Sequence, residues 1–215
     1  MRQVGIVASM LVVAVATTAG LLYISPKYSA QANRKTTFVL DRSFEDVRKS
    51  LQQGRFEEEI LKANNATMIS KTWHRSDLRI VKPLSRDRYW EFNGVMTAKV
   101  SVDHPEAGQF VVEMRHKIHV AKDAIQIEAD LERPLEVGVT GLHQRITMYP
   151  NGPNQTVVEL EIGMRLQRIV PSFMREYAQG QLNQAADKSI TNLQQVLQNL
   201  PPPKKGLVIP LHLDK

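Results

Sequence analysis

The order of apolar and polar positions along the chain predicts a sheet in its middle part. In residues 110–120, apolar side chains and His116 occupy every second position, and mainly charged or polar side chains lie between them. The same alternation recurs in residues 124–131 and 156–168, and more weakly in residues 68–76, 89–102 and 140–149. The short connections are rich in turn residues, so we expect an antiparallel meander with one packed face and one wet face.

Helical periodicity flanks this region. On the N-terminal side, residues 36–40 form a β-rich run, and Ser43 can cap a helix that continues to Gly54, with a second short helix over residues 56–62. On the C-terminal side, Pro171 begins a long helix. Its apolar positions recur at steps of three and four at Met174, Ala178, Leu182, Ala186, Ile190, Leu193, Leu197 and Leu200. Such a continuous stripe needs a large apolar partner surface, which the sheet can supply.

Charge is absent from residues 3–26, although the chain carries 28 Lys and Arg and 22 Asp and Glu. The apolar run over residues 4–24 is long enough to cross a hydrocarbon core of about 30 Å. Ala30-Gln31-Ala32 lies just after it and resembles an export cleavage site. The run therefore predicts either a retained membrane anchor or a cleaved signal peptide, with a buried helix as the remaining alternative. We expect a membrane-anchored or exported protein, in a bacterial-type cell envelope or periplasm.

The composition and the missing motifs exclude several classes of functional site. Hydrophobic residues make up 42% and charged residues 23%, which is typical of a globular domain. Cysteine is absent, which excludes disulfides, thiolate metal sites and cysteine nucleophiles. The net charge of +6 is spread among acidic residues, so we predict no nucleic-acid partner. No phosphate-binding glycine loop, nucleophile elbow or zinc-binding helix motif is present.

The order of elements resembles the START-like superfamily, also called the polyketide cyclase/dehydrase and lipid-transport or SRPBCC superfamily. Residues 37–47, TFVLDRSFEDV, are similar to the family's first strand running into a capped helix. Residues 157–161, VVELE, and the Pro171-Ser172-Phe173-Met174 segment are similar to its last strand and the start of its final helix. The resemblance implies an α+β helix-grip fold, in which about six to seven antiparallel strands curve around the long helix and two short helices follow strand 1.

The resemblance also sets the expected domain organisation. Residues 1–32 are a separate hydrophobic helix, acting as a transmembrane anchor or a signal peptide; residues 33–200 are the helix-grip domain; and residues 201–215 are a proline-led extended tail. Members of the superfamily enclose a cavity for apolar molecules, whereas others are enzymes or chaperone cofactors, so the fold alone does not set the function.

His116 is the main candidate for a functional residue because it is the polar member of an apolar strand face. It can orient a ligand or exchange a proton in a cavity, or it is a core histidine bonded to a backbone carbonyl. Gln144 and Arg168 are further polar anchors. The expected cavity-lining residues, which would equally make a filled core, are Trp90, Phe92, Met96, Met114, His116, Gln144, Met164, Phe173, Met174 and Tyr177.

Our leading hypothesis is non-enzymatic binding or transport of a hydrophobic small molecule or lipid, with membrane contact through the N-terminal segment. The alternatives are a cyclase or aromatase type of enzyme that uses His116, and a structural envelope domain that binds proteins. We assign no catalytic residue, cofactor or oligomeric state. We also assign no metal site, since His116 and His119 point to opposite faces of their strand and cannot hold one ion together. The carboxylates of Glu113, Glu128, Asp130, Glu159 and Glu161 are expected to pair with Arg115, Lys117 and Arg165 on the wet face.

Overall fold

A single sheet of seven antiparallel strands organises the chain. The computed structural model describes residues 27–52, 61–62, 65–82, 84, 89–104, 108–136 and 138–203. Its elements are β1 (Lys27–Leu40), α1 (Phe44–Gln52), β2 (Ala66–Val81), β3 (Tyr89–His104), β4 (Gly108–Val120), β5 (Ile125–Leu131), β6 (Val139–Pro150), β7 (Thr156–Ile169), a 3-10 turn (Ser172–Met174) and α2 (Arg175–Gln198).

The strand order across the sheet is β1-β7-β6-β5-β4-β3-β2. Strands β2 to β7 therefore form the predicted meander, in which each strand pairs with its neighbour in the sequence. Strand β1 crosses over to pair with β7 at one edge, with Phe38 opposite Val158. Alternate residues of each strand face a common apolar core, which is why period-two alternation was a reliable signal in β4, β5 and β7.

Some predicted elements lie outside the described residues. These are the N-terminal apolar run, most of the second short helix and the tail beyond Pro203. Leu61 and Lys62, at the end of the second helix, are helical. Within the described ranges, none of the helices combines the length and the apolar character needed to cross a bilayer.

Strand β1 is longer than the sequence pattern predicted. It begins at Lys27, nine residues before the predicted Thr36, and it pairs with β7 along its whole length. Ala30 and Ala32 lie opposite Leu166 and Met164, and both alanines are only 2% exposed. The segment that resembles a cleavage site is thus part of the buried core.

The predicted helix start at Ser43 is confirmed by its contacts. The backbone N–H of Asp46 donates a hydrogen bond to Ser43 Oγ over 3.2 Å. This bond satisfies one of the amides that the first turn leaves without an intrahelical partner. Phe44, Val47 and Leu51 of α1 are buried in the core.

Helix α2 runs along β1 and β7 and buries its predicted stripe against them. Near its start, the Gln179 side-chain amide donates to the Gln31 carbonyl over 2.7 Å. Further along, the Arg34 guanidinium pairs with Asp187. The buried residues of the helix are Ala178, Leu182, Ala185, Ala186, Ser189, Ile190, Leu193 and Leu197.

Replacing Gly180 with alanine should stabilise the protein by about 0.5–1 kcal/mol. Gly180 is an exposed residue inside α2, and a Cβ at this position would meet no atom within 4 Å. Alanine therefore lowers the entropy of the unfolded chain without a clash. Urea denaturation checks this result, and an unchanged or lower midpoint would contradict it.

Candidate functional site

A row of side chains crosses the inner face of the sheet through His116. The strand register places His116 of β4 between Met96 of β3 and Ala129 of β5. Ala129 in turn lies opposite Gln144 of β6. Because neighbouring strands are about 4.8 Å apart, the backbones at His116 and Gln144 are separated by about 10 Å. Ala129, which has a small side chain, lies between His116 and Gln144 across the sheet.

The His116 imidazole is enclosed by protein but is not hydrogen-bonded by it. The residue is 0% exposed, and within the described part of the chain neither ring nitrogen has a hydrogen-bond partner. The alternative of a core histidine bonded to a backbone carbonyl is therefore wrong for these residues. Leaving such a buried polar group unbonded costs about 1–3 kcal/mol, so the position requires an explanation other than fold stability.

Burial also decides the charge of His116. Desolvation lowers its pKa from 6.5 to about 3, the positive charge of Lys71 adds to this lowering, and the negative charge of Asp130 opposes it. The ring is consequently neutral at pH 7 and offers one N–H donor and one nitrogen acceptor. A neutral imidazole in an apolar face can form hydrogen bonds with an uncharged polar group.

Lys71 is a residue of this site that the sequence pattern missed. Strand β2 has register shifts between Met68 and Ser70 and between Trp73 and Arg75. The first shift places Lys71 opposite Ala98, on the inner face, whereas an uninterrupted alternation from Met68 would turn it outward. A β-bulge leaves no clear sequence signal here. Lys71 therefore brings a positive charge towards the buried imidazole.

Trp73 forms the end of the row at the β2 edge. Its ring meets Phe92 edge-to-face, with centroids 5.7 Å apart and planes at 84°. It also lies directly over Gly94, where a Cβ would be 2.6 Å from Trp73 Cζ3. Glycine at this position is thus what allows the indole to pack down onto the sheet. The indole N–H is buried and has no acceptor among the described residues.

Of the three comparisons with known proteins, the search of solved structures gives matches. No protein-family model matches the sequence, and no curated protein matches it. Solved structures that resemble it include norcoclaurine synthase from Thalictrum flavum, with 12% identity, 82% of this chain and 97% of that chain covered, and a TM-score of 0.43. The di-domain ARO/CYC protein BexL of the BE-7585A biosynthetic pathway has 12% identity, coverages of 80% and 50%, and a TM-score of 0.45. A START superfamily protein from Mycobacterium smegmatis has 16% identity, coverages of 76% and 98%, and a TM-score of 0.38.

The fold itself is decided by the order of elements in this chain. A long C-terminal helix packs on a seven-stranded antiparallel sheet, and a short helix follows the first strand. The chain has the helix-grip fold. The predicted fold class is thus confirmed for the described residues.

The helix-grip domain brings most of the predicted site residues together on the inner face. Those that are buried there are Phe92, Met96, Met114, His116, Gln144 and Met164. Met174 is half-buried at the start of α2. This arrangement leaves His116 and Gln144 as the fully buried polar side chains among the predicted residues.

The predicted interior position is wrong for three aromatic residues. Trp90 is 41% exposed, Tyr177 is 54% exposed and Phe173 is 84% exposed. Trp90 lies near the start of β3, opposite Ile80 of the edge strand, where the core ends. Phe173 belongs to the 3-10 turn that precedes α2, and Tyr177 lies beside the buried stripe that Ala178 begins, not within it.

The outer face of the helix-grip sheet is polar and ion-paired. The predicted pairing of carboxylates occurs, but mostly with other partners: Glu113 with Lys99, Glu128 and Glu161 with Arg145, Asp130 with His143, and Glu159 with Lys35. Three grooves of about 290, 300 and 340 Å³ lie among these side chains. Within the described ranges, no three His, Asp or Glu side chains are grouped to hold a metal ion. This face therefore suits solvent better than an apolar ligand.

Proposed function

We propose that the protein binds a hydrophobic small molecule or lipid between the inner face of the sheet and α2, and that it shields or transports this molecule at or outside a membrane. The observation that carries the proposal is His116, a buried imidazole without a hydrogen-bond partner among the described residues. An uncharged polar group on an otherwise apolar ligand would satisfy it. Such a site combines apolar contact area with one or two polar groups that fix orientation.

The low pKa of His116 favours binding over acid–base catalysis. Efficient general acids and bases have pKa values near the working pH, whereas burial and Lys71 hold the pKa of His116 at about 3. At pH 7 the ring has no proton to give as an imidazolium and is a weak base. A non-enzymatic role therefore fits this residue better than a cyclase or aromatase reaction.

The N-terminal sequence supports a location at the membrane. The uncharged residues 3–26 lead directly into β1, so the same polypeptide joins an apolar run to the ligand-binding sheet. A binding domain held close to a bilayer exchanges apolar molecules over a short distance. We therefore place the domain in the cell envelope, tethered by this run.

Native mass spectrometry of the full chain, purified from its own host, tests the proposal together with extraction and analysis of bound lipids. We expect a reproducible mass increase that corresponds to one apolar compound or one class of such compounds. Repeated recovery of the bare chain under mild detergent conditions would contradict the proposal.

Replacing His116 with leucine should reduce the fraction of ligand-bound protein in the same measurement, with an apparent affinity lower by at least about tenfold, or about 1.4 kcal/mol. The substitution replaces the imidazole with an apolar side chain of similar size and so removes the hydrogen bond to the ligand. Met114→Leu is the matched control, because Met114 is also 0% exposed and lies on the same strand face. Equal loss in both variants would assign the effect to packing alone.

A further inference from the structure

One corner of the domain exposes large apolar side chains where the chain enters the sheet. We call it the β1–α2 corner, and it consists of Lys27, Ile169, Phe173, Arg175 and Tyr177. Ile169 is 45% exposed, Tyr177 is 54% exposed and Phe173 is 84% exposed. Scattered apolar side chains are ordinary on protein surfaces, but three large ones within nine residues of chain form a patch.

The backbone holds this corner together. Lys27 is paired with Ile169 across the first rung between β1 and β7. The guanidinium of Arg175, at the start of α2, lies 5.6 Å from the centre of the ring of Tyr28, which follows Lys27 on β1. Phe173 in the 3-10 turn and Tyr177 in the first turn of α2 are four residues apart in the chain, and both are exposed. The contact between Arg175 and Tyr28 therefore brings the start of α2 close to the first rung of β1 and β7.

The charge around the aromatic rings is positive. Lys27, Arg168 and Arg175 lie in or beside the corner, and Glu176 is the only acidic residue between positions 168 and 177. Burial lowers the pKa of Arg168 below its ordinary value. Aromatic residues with basic neighbours are typical of surfaces that enter the headgroup region of an anionic bilayer.

We propose that the β1–α2 corner docks on the surface of an anionic phospholipid bilayer, with Phe173 and Tyr177 inserted at the level of the headgroups. The uncharged residues 3–26 end immediately before Lys27, so a membrane-embedded run would hold this corner at the bilayer surface. The basic groups would face lipid phosphates. In this orientation the start of α2 and the first residues of β1 rest on the membrane.

This inference rests on the membrane location within the proposed function, but not on ligand binding. The two can fail separately, because docking is measured by the accessibility of one labelled side chain and ligand binding is measured by native mass spectrometry. A protein that retains a ligand but leaves the corner in water would contradict only the docking. A protein that docks but carries no ligand would contradict only the binding.

The absence of cysteine from the chain makes a site-specific test simple. Full-length Phe173→Cys carries a nitroxide label and is placed in nanodiscs of phosphatidylcholine, with or without phosphatidylglycerol. The matched control is Thr37→Cys, which is exposed on the outer face of β1, ten residues from Lys27 along the strand. We expect the label at position 173 to collide several-fold more often with oxygen than with a water-soluble nickel complex, and the control to show the reverse.

Phosphatidylglycerol should increase the ratio of oxygen collisions to nickel collisions at position 173. Lys27→Gln should make this increase smaller. A label at position 173 that is as accessible to nickel as the control would overturn the proposal. Dipolar broadening between the labels of two copies would also overturn it, since the corner would then be a contact between copies of this chain. Shielding of the label from both reagents would mean that protein covers the corner, which contradicts docking as well.

Discussion

Lowering the pH from 6.5 towards 3 should cost the folded protein about 1.4 kcal/mol per pH unit through His116 alone. The sign follows from the direction of the pKa shift. Burial lowers the pKa of His116 from 6.5 to about 3 in the folded state. Between these values the unfolded chain binds a proton that the folded chain does not, so falling pH favours unfolding.

Urea denaturation of the wild type and of His116→Leu at pH 7 and pH 5 isolates this contribution from that of the surface carboxylates. The wild type should lose about 2 kcal/mol more than the variant over this interval. At pH 7 the variant should be as stable as the wild type or more stable, because it no longer buries an unbonded polar group. Parallel losses in both proteins would mean that His116 is solvated or hydrogen-bonded in solution.

A substitution of Lys71 tests the cause of the low pKa of His116 in a second way. The charge of Lys71 is the second cause of the low pKa of His116, after burial. Lys71→Met should therefore raise the pKa of His116, so that the loss of stability through His116 levels off at a higher pH than in the wild type. Asp130 acts in the opposite direction, so Asp130→Asn should lower the pKa of His116 and extend that loss of stability to a lower pH.

Replacing Gly94 with valine should destabilise the protein by about 3 kcal/mol, at the upper end of ordinary overpacking. A Cβ at this position would lie 2.6 Å from Trp73 and 2.7 and 2.8 Å from two ring atoms of Phe92. Both rings are packed within the sheet and against each other, so neither can move freely. The measurement is the free energy of unfolding from urea denaturation.

The double variant Gly94→Val with Trp73→Leu provides the control for this prediction. The shorter leucine side chain makes room for the valine, so the double variant should be more stable than the sum of the two single effects predicts. Simple additivity would show that the clash with Trp73 is not the cause. Gly180→Ala, on the exposed side of α2, should have the opposite sign.

The sequence was sufficient for the elements in which alternation or helical periodicity is regular. Strands β4, β5 and β7 and the stripe of α2 were predicted close to their observed bounds. The first half of β1 was missed because its inward positions carry the small Ala30 and Ala32 and the charged Arg34, which give no apolar signal. Arg34 can face inward because Asp187, 153 residues later, pairs with it, and such a partner is not visible in a local pattern.

The site was predictable to the extent that it lies on regular strands. His116 and Gln144 were identified because they interrupt apolar positions of β4 and β6, and both are buried as expected. Lys71 was missed because a bulge changes the phase of β2. Phe173 and Tyr177 were placed in the interior because of their size, although Phe173 is exposed in the 3-10 turn and Tyr177 lies beside the buried stripe of α2.

The early start of β1 also bears on how the polypeptide is processed. A peptidase that cut after Ala32 would remove the first six residues of the edge strand, which pair with residues 164–169 of β7. The N–H and C=O groups of that half of β7 would then be an unpaired sheet edge, which could pair with another chain. The resemblance of Ala30-Gln31-Ala32 to a processing site thus conflicts with its place in the folded sheet.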